Sequence, residues 1–325
     1  FAFADNNKEI ENESECAEKL SAVLEDSVRH HMVADVPVGA FLSGGIDSGI
    51  IAAFAQKERD NVSKGGKVAP KGLARPDSAE SKISTFTIGF VGANEAEEAR
   101  VTAEHIGTEH HESVVSPEEY FQELPKIMWH FDEPVADPAA SSLYFLAREA
   151  RKKVKVVLSG EGADELFGGY NIYLESYARR RFMFVPRIIR EKVLRPLAES
   201  SHSFRGKNFL RRFFSNMEDW YIGNASIFNK EEVTQLWSGK NYSRMSLEPL
   251  YSEVQCREDS EKTQHIDINT WLVGDILAKA DKMTMAHSLE LRVPFLDRDV
   301  SDFARRLSPA LKWKNYTTKY LLRKV

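Results

Sequence analysis

The sequence predicts an α/β protein built on a doubly wound, mainly parallel sheet, followed by a helical C-terminal part. Short apolar runs with strand periodicity alternate with helix-like runs in the first half of the chain, an order typical of parallel sheets. Two of the strand-like runs lead directly into glycine-rich loops. From Leu174 onward the pattern is helical and rich in aromatic residues, and no strand is predicted there.

The first predicted elements are a helix, a strand and a second helix. Asn12, with Glu15 three positions later, can cap a helix. The apolar residues of this helix recur at helical spacing at Leu20, Leu24, Val28 and Met32. The next apolar residues alternate, as in a strand, at Val36, Val38, Ala40 and Leu42. Residues 49–58 then predict a helix whose beginning, Ile50 to Phe54, is apolar on all sides and therefore buried against a sheet.

Three further strands are predicted beyond an insertion. Residues 59–82 are rich in Gly, Pro, Ser and Lys, which predicts a flexible insertion. Alternation at Phe86, Ile88 and Phe90 predicts the second strand. An acidic helix at residues 94–106, a third strand at 110–115 and a fourth at 154–158 follow. Because ligands of such sheets bind beyond the carboxyl ends of the strands, the loops after the first, second and fourth strands should border one crevice.

A phosphate-binding site is predicted in the loop after the first strand, Ser43-Gly44-Gly45-Ile46-Asp47-Ser48. The two glycines allow a tight turn, and the following helix offers unpaired N–H groups and a partial positive charge to an anion. Asp47 would repel a bare phosphate, so its presence favours a nucleotide bound with Mg²⁺. The run matches neither the P-loop nor the dinucleotide-binding pattern. The alternative is a glycine turn with a helix-capping serine.

Two later runs of the sequence contain further residues that could bind a nucleotide or a metal ion. The loop after the fourth strand, Ser159-Gly160-Glu161-Gly162-Ala163-Asp164, repeats the combination of serine, glycine and acidic residues. Asp164 could bind a metal ion or complement the dipole of the following helix. Lys279 and Lys282 would lie one helical turn apart, so that both ammonium groups could reach one anionic ligand.

Composition narrows the class of protein. With 325 residues, 42% hydrophobic and 29% charged, the chain can bury a substantial core. A net charge of −5 gives no overall signal for binding nucleic acid. Cys16 and Cys256 lie far apart, which argues against a zinc site and a disulfide framework and favours the cytoplasm. No apolar run is long enough to predict a membrane-spanning helix.

Three blocks, in this order, resemble the synthetase domain of the asparagine synthetase family, which belongs to the N-type ATP pyrophosphatases. They are the loop at residues 43–48, the run from Leu158 to Tyr170 and the run from Ala278 to Asp297. The resemblance covers residues 14–325, with 171–325 as the mainly helical part. It implies that residues 1–13 are the remnant of a linker and that a glutaminase domain precedes them in the full-length protein.

The resemblance implies roles for individual residues. Glu161 and Lys282 would be catalytic, Glu161 in forming an acyl-adenylate and Lys282 in contacting the phosphates. Asp47, Asp164 and Glu95 would bind Mg²⁺. ATP would be bound by Leu42, Ser43, Gly44, Gly45, Asp47, Ser48, Ile88, Ser159, Gly160 and Lys279. In the segment that resembles the region beside the acceptor pocket, Asp132, Glu133 and Asp137 could each hold an amino group or cap the next helix.

The implied activity is an ATP-dependent ligase that adenylates the side-chain carboxylate of aspartate and lets ammonia displace AMP. Gly49 stands where the family often has a second serine, and the insertion precedes the second strand. Two alternatives therefore stay open. One is a related adenylating enzyme, including a β-lactam-type synthetase, that acts on another carboxylate. The other is a nucleotide-binding regulator without activity. A homodimer is possible, whereas the net charge and the lack of a long apolar run predict neither a nucleic-acid partner nor a membrane partner.

Overall fold

The fold is given by a computed structural model of the chain. It describes residues 12–63, 82–91, 95–132, 137–200, 202, 204–224, 232, 235–237 and 247–325. The predicted linker remnant, most of the predicted insertion and Glu133 lie outside the described residues.

The described residues form one five-stranded sheet in which every neighbouring pair of strands is parallel. The strands are β1 (Val38–Phe41), β2 (Ser84–Phe90), β3 (Glu109–Val115), β4 (Val156–Leu158) and β5 (Glu290–Arg292). Their order across the sheet is β3-β2-β1-β4-β5. In the central register, Gly39 lies between Ser84 of β2 and Val157 of β4. The chain thus winds outward from β1 in both directions, and the predicted α/β fold class is confirmed.

The expectation that no strand follows Leu174 is wrong. β5 lies in that part of the chain and pairs with β4, so that Leu158 lies opposite Arg292. Arg292 is fixed there by two hydrogen bonds of 2.7 Å from Nη1 to the carbonyl oxygens of His31 and Val33. The sheet therefore ends in a strand contributed by the otherwise helical part.

Helices cover both faces and form the C-terminal part. Before β5 they are α1 (Glu13–His31), α2 (Ile46–Ser63), α3 (Glu95–Ile106), α4 (Pro117–Phe131), α5 (Ala139–Ala150), α6 (Ala163–Phe167), α7 (Glu175–Phe182), α8 (Arg187–Ile189), α9 (Arg195–Glu199), α10 (Lys207–Phe214), α11 (Met217–Trp220), α12 (Glu248–Glu253), α13 (Asp259–Asn269) and α14 (Ala278–Met285). After β5 come α15 (Arg298–Arg306) and α16 (Pro309–Lys312). π-helical turns are found at Arg190–Leu194 and Leu272–Leu277, and 3₁₀ turns at Asn171–Leu174, Pro294–Leu296 and Leu322–Lys324.

The strand periodicity divides the core between the two faces of the sheet. Ala40 and Leu158 face the cluster formed with α1, α2 and α15. Phe41 and Val157 face the opposite cluster, which includes Ala147 of α5. Since successive side chains of a strand point to opposite faces, burial of all of them requires helices on both sides. None of the helices described is both long and apolar enough to span a bilayer.

The structure confirms the predicted cap of α1 but places both ends of α2 differently from the prediction. The side chain of Asn12 accepts the N–H of Glu15 at 3.2 Å, which confirms the capping of α1. α2 begins at Ile46, three residues before the predicted start, so Asp47 lies in its first turn. It also continues to Ser63, so residues 59–63 of the predicted insertion are helical.

Candidate active site

The loop between β1 and α2 is held in a conformation that requires glycine. Gly44 has φ +77°, and a Cβ atom there would lie 2.9 Å from the backbone nitrogen of Ala99 in α3. A side chain at this position would be strained and would also collide with α3. The tight turn therefore lets the chain enter α2 directly from the carboxyl end of β1.

Two serine side chains tie this loop together. Ser48 Oγ accepts the N–H of Ser43 at 3.1 Å and lies 3.1 Å from Ser43 Oγ. It also donates to the carbonyl oxygen of Gly45 at 3.2 Å. The two hydroxyls are thus oriented before any ligand is bound, and both residues line a cavity.

The loop after β4 packs directly against this first loop. The N–H of Ser159 donates to the carbonyl oxygen of Arg292 at 2.9 Å, which links the loop to β5. A Cβ atom on Gly160 would lie 2.9 Å from both the Cβ of Asp47 and the nitrogen of Ser48. Only glycine permits this approach, and the two glycine-rich loops share one site.

The cavity between the loops has a volume of about 320 Å³, within the range of small-molecule sites. It extends from the two loops along the end of β2 to α5 and α14. The predicted ATP-binding residues that line it are Leu42, Ser43, Gly45, Asp47, Ser48, Ile88, Ser159, Gly160 and Lys279. Glu161 and Asp164 line it as well. The predicted shared crevice is confirmed, whereas Gly44 turns away from it toward α3.

A lysine that the sequence analysis did not select joins the two predicted metal-binding aspartates. Lys319 Nζ lies 2.5 Å from Asp47 Oδ2 and 2.6 Å from Asp164 Oδ1, and its side chain is only 8% exposed. A Cβ atom on Gly169 would lie 2.2 Å from Lys319 Cε, so glycine at that position makes room for the lysine. The prediction missed Lys319 because its sequence neighbours form no recognisable motif.

Two partly buried carboxylates of the cavity have raised pKa values. Burial raises the pKa of Asp47, and the charge of Lys319 acts against that rise. Burial also raises the pKa of Glu161, against the charge of Lys279. Desolvation disfavours the charged form of a carboxyl group, so a cationic ligand or counter-ion would stabilise both residues.

The site suits Mg²⁺ bound together with phosphate oxygens. Among the described residues, no three His, Cys, Asp or Glu side chains are grouped closely enough to hold a metal ion by themselves. Mg²⁺ usually takes only one or two carboxylates and completes its shell with water and phosphate. Asp47 fits this role, because its buried Oδ1 has no hydrogen-bond partner among the described residues. Glu95 begins α3, and its side chain lies outside the described residues.

The two predicted lysines of α14 bind different partners. Lys279 is buried, and its Nζ lies 2.5 Å from Asp137 Oδ2 and 3.7 Å from Asp275 Oδ2. Lys282 Nζ lies 2.5 Å from the carbonyl oxygen of Phe131 and 3.3 Å from Asp132 Oδ2. Lys279 lines the cavity and Lys282 does not. Their spacing of one helical turn is as predicted, but the structure does not bring the two ammonium groups to one point.

Asp137 has two roles in the structure. Its Oδ1 accepts the N–H of Ala139 at 2.9 Å, at the start of α5, while Oδ2 pairs with Lys279. Burial would raise the pKa of Asp137, but the hydrogen bonds from Lys279 and Ala139 prevail and lower it. Asp132 is 82% exposed and pairs with Lys282 outside the cavity. Of the two candidates for an amino-group contact that can be described, Asp137 is thus the one beside the site.

A fully buried carboxyl group lies behind the loop that follows β4. Glu165 is 1% exposed, and its Oε1 accepts the hydroxyl of Tyr170 at 2.7 Å. The Tyr170 oxygen in turn accepts the indole N–H of Trp271 at 3.2 Å. Burial raises the pKa of Glu165 to about 7. Tyr170 does not line the cavity; it holds Glu165 in place next to the loop that does.

Comparison with known proteins identifies relatives across almost the whole chain. The profile of the asparagine synthase family matches residues 19–325. The chain is 45% identical over 328 aligned residues to asparagine synthetase [glutamine-hydrolyzing] 1 of Bacillus subtilis (strain 168), covering 99% of this chain and 49% of the relative. It is 46% identical to a putative asparagine synthetase [glutamine-hydrolyzing] of Mycobacterium tuberculosis (strain ATCC 25618 / H37Rv), covering 97% of this chain and 46% of the relative. The chain thus spans about half the length of these curated relatives.

Proposed function

The chain belongs to the asparagine synthase family, and from this premise we propose that it carries out the ATP-dependent, amide-forming reaction of an asparagine synthetase. In this reaction a side-chain carboxylate oxygen of aspartate attacks the α-phosphorus of ATP, and pyrophosphate leaves. Ammonia then attacks the activated carbonyl carbon and loses a proton, and AMP leaves with the formation of asparagine. The names of the relatives include glutamine hydrolysis, which we assign to the half of such a protein that this chain does not span.

One observation carries the proposal: two glycine-rich loops enclose one cavity together with acidic and basic side chains. Asp47, Glu161 and Asp164 supply carboxylates, and Lys279 supplies an ammonium group at the same cavity. Transfer of an adenylyl group mainly requires that two anions be held in line and their charge neutralised. Backbone N–H groups, lysines and a divalent cation meet that requirement without a covalent nucleophile.

The roles of the residues follow from their positions. The loop at residues 43–48 and the N-terminus of α2 would bind the phosphates, and Ile88 and Leu42 would contact the adenosine part. Glu161 would act in forming the acyl-adenylate, because its partly buried carboxyl lines the cavity beside the phosphate-binding loop. The ion pairs of Lys319 with Asp47 and Asp164 would hold its ammonium group close to the phosphates.

Asp47 and Asp164 would hold Mg²⁺, together with Glu95 as the sequence predicts. When bound, Mg²⁺ would neutralise charge on the departing pyrophosphate. The orphaned Oδ1 of Asp47 supports this assignment. The catalytic role of Lys282 remains a prediction, and it requires the lysine to leave the carbonyl oxygen of Phe131.

The test is to follow pyrophosphate, AMP and asparagine with aspartate, ATP, Mg²⁺ and ammonium as substrates. We expect the three products in equal amounts with ammonium, and no asparagine when glutamine replaces ammonium. Glu161→Gln should abolish the release of pyrophosphate, whereas the exposed substitution Glu97→Gln on α3 should leave it unchanged. Release of pyrophosphate with another carboxylate but not with aspartate would assign a different acceptor. Tight binding of ATP without pyrophosphate from any amino acid would refute the proposed activity.

A further inference from the structure

A strongly basic segment follows the site. Residues 179–214, here the basic-apolar segment, contain eleven Lys and Arg but only two Glu, although the whole chain has a net charge of −5. Arg187, Lys192 and Arg205 are exposed and form no ion pair with a described carboxylate, although the charge of Arg187 acts on Glu191 from a distance. Cations that serve only the fold usually have such partners, so these three are available to a ligand outside the chain.

The same segment exposes large apolar side chains. The exposed fractions are 57% for Met183, 86% for Phe184, 71% for Ile188 and 56% for Val193. Ile188 and Val193 are five residues apart in a helix with a π-helical turn at Arg190–Leu194, a spacing that suits one side of such a turn. Single exposed apolar residues are common, but a run of them within a basic segment indicates an interaction surface.

The segment does not need these exposed residues for its own packing. The ring of Phe182 contacts Phe209 and Phe213, with centroid distances of 5.7 and 4.6 Å. Arg211 Nε donates to the carbonyl oxygen of Ala198 at 3.1 Å, which joins α10 to α9. The inner side of the segment is therefore satisfied by its own helices and by carboxylates outside it, such as Glu175 with Arg212 and Glu258 with Arg180, and the outer side is left to solvent.

We propose that the basic-apolar segment binds the surface of an anionic lipid bilayer. Cations next to protruding apolar side chains are the combination that binds at the interface of such a membrane, where headgroups attract the charge and acyl chains receive the apolar groups. Aliphatic side chains such as Ile188 and Val193 contribute nothing to contact with nucleic-acid phosphates. A bilayer also needs no complementary groove, which suits side chains that project as far as Phe184 does.

The test is co-sedimentation of the chain with vesicles of phosphatidylcholine containing about 30% phosphatidylglycerol, an anionic surface of the required kind. We expect binding to these vesicles, weaker binding at high salt and little binding to pure phosphatidylcholine. Phe184→Ser with Ile188→Ser, and separately Arg187→Glu with Lys192→Glu, should each weaken binding by about tenfold or more.

Matched controls make the same chemical changes elsewhere on the surface. Phe121→Ser with Trp129→Ser removes exposed apolar side chains from the acidic helix α4, and Lys153→Glu with Arg298→Glu reverses two exposed charges. Both double variants should bind vesicles like the unchanged chain, and circular dichroism should show that all variants are folded. Absence of vesicle binding at low salt would overturn the proposal, as would equal losses in the controls. Dimerisation or binding of RNA through this segment without vesicle binding would also overturn it.

Discussion

The contact between the two glycine-rich loops makes Gly160→Ala a direct test of the active-site geometry. The added Cβ atom would lie 2.9 Å from Asp47 Cβ and 2.9 Å from the nitrogen of Ser48. Favourable carbon contacts begin at about 3.5 Å, so the loops must separate by about 0.5 Å or more. Overpacking of this kind costs about 1–3 kcal/mol of the free energy of unfolding.

Activity should fall more steeply than stability. The separation moves Asp47 and Ser48 away from Glu161, and a displacement approaching 1 Å at a reacting site can reduce the rate by about a hundredfold. We therefore expect Gly160→Ala to release pyrophosphate about 10 to 100 times more slowly. Urea unfolding would measure the loss of stability, and an assay of pyrophosphate release at saturating ATP would measure the rate.

Gly49→Ala is the matched control. Its Cβ atom would lie 3.7 Å from Thr102 Cγ2, an ordinary contact, in the helix that begins at the phosphate-binding loop. Because alanine favours a helix by about 1 kcal/mol over glycine, this variant should be as stable as the unchanged chain or more so. If Gly160→Ala retained full activity and stability, or if Gly49→Ala lost as much, the reasoning from the loop contact would be refuted.

Three further substitutions test other parts of the site. Lys319→Met leaves Asp47 and Asp164 without their counter-ion, so the free energy of unfolding should fall by about 3 kcal/mol at pH 8, as urea unfolding would show. The loss should be smaller in acid, because burial raises the pKa of Asp47 and its carboxyl group then takes up a proton. Burial raises the pKa of Glu165 in the folded chain to about 7, from 4.5 for an exposed glutamate. Between these pH values the folded chain holds a proton that the unfolded chain has lost, so stability falls as the pH rises. The free energy of unfolding of Glu165→Gln, compared with that of the unchanged chain, should therefore rise by about 2–3 kcal/mol from pH 4.5 to pH 8. The same difference between the two chains at both pH values would contradict this. Thr87→Val removes a buried hydroxyl that donates to the carbonyl oxygen of Leu42, and a loss of about 1–2 kcal/mol in urea unfolding is expected.

The sequence predicted the central strands because their side chains are buried on both faces. Phe86 and Val157 are almost completely buried, and runs of such residues between helical patterns leave little choice of fold. β5 escaped prediction because it has only three residues, two of which are charged, at an edge of the sheet. Its pairing depends on β4 rather than on any local periodicity.

The candidate site was predictable where local backbone geometry sets the residue type. Gly44 and Gly160 stand where a side chain would collide with a neighbouring element, and such positions give a motif in the sequence. Lys319 reaches Asp47 across 272 positions, so nothing near it in sequence indicates the pair. The separate partners of Lys279 and Lys282 likewise depend on how α4 and α5 end and begin, which helical spacing does not reveal.

The position of β5 in the chain delays completion of the sheet during synthesis of the protein. β4 leaves the ribosome about 130 residues before β5, its neighbour on the side away from β1, and Ser159 has no Arg292 carbonyl to bind until then. Contacts between residues so far apart form late, because the intervening chain must first be brought together. A nascent chain that already contains both glycine-rich loops should therefore be unable to retain nucleotide until β5 has been translated.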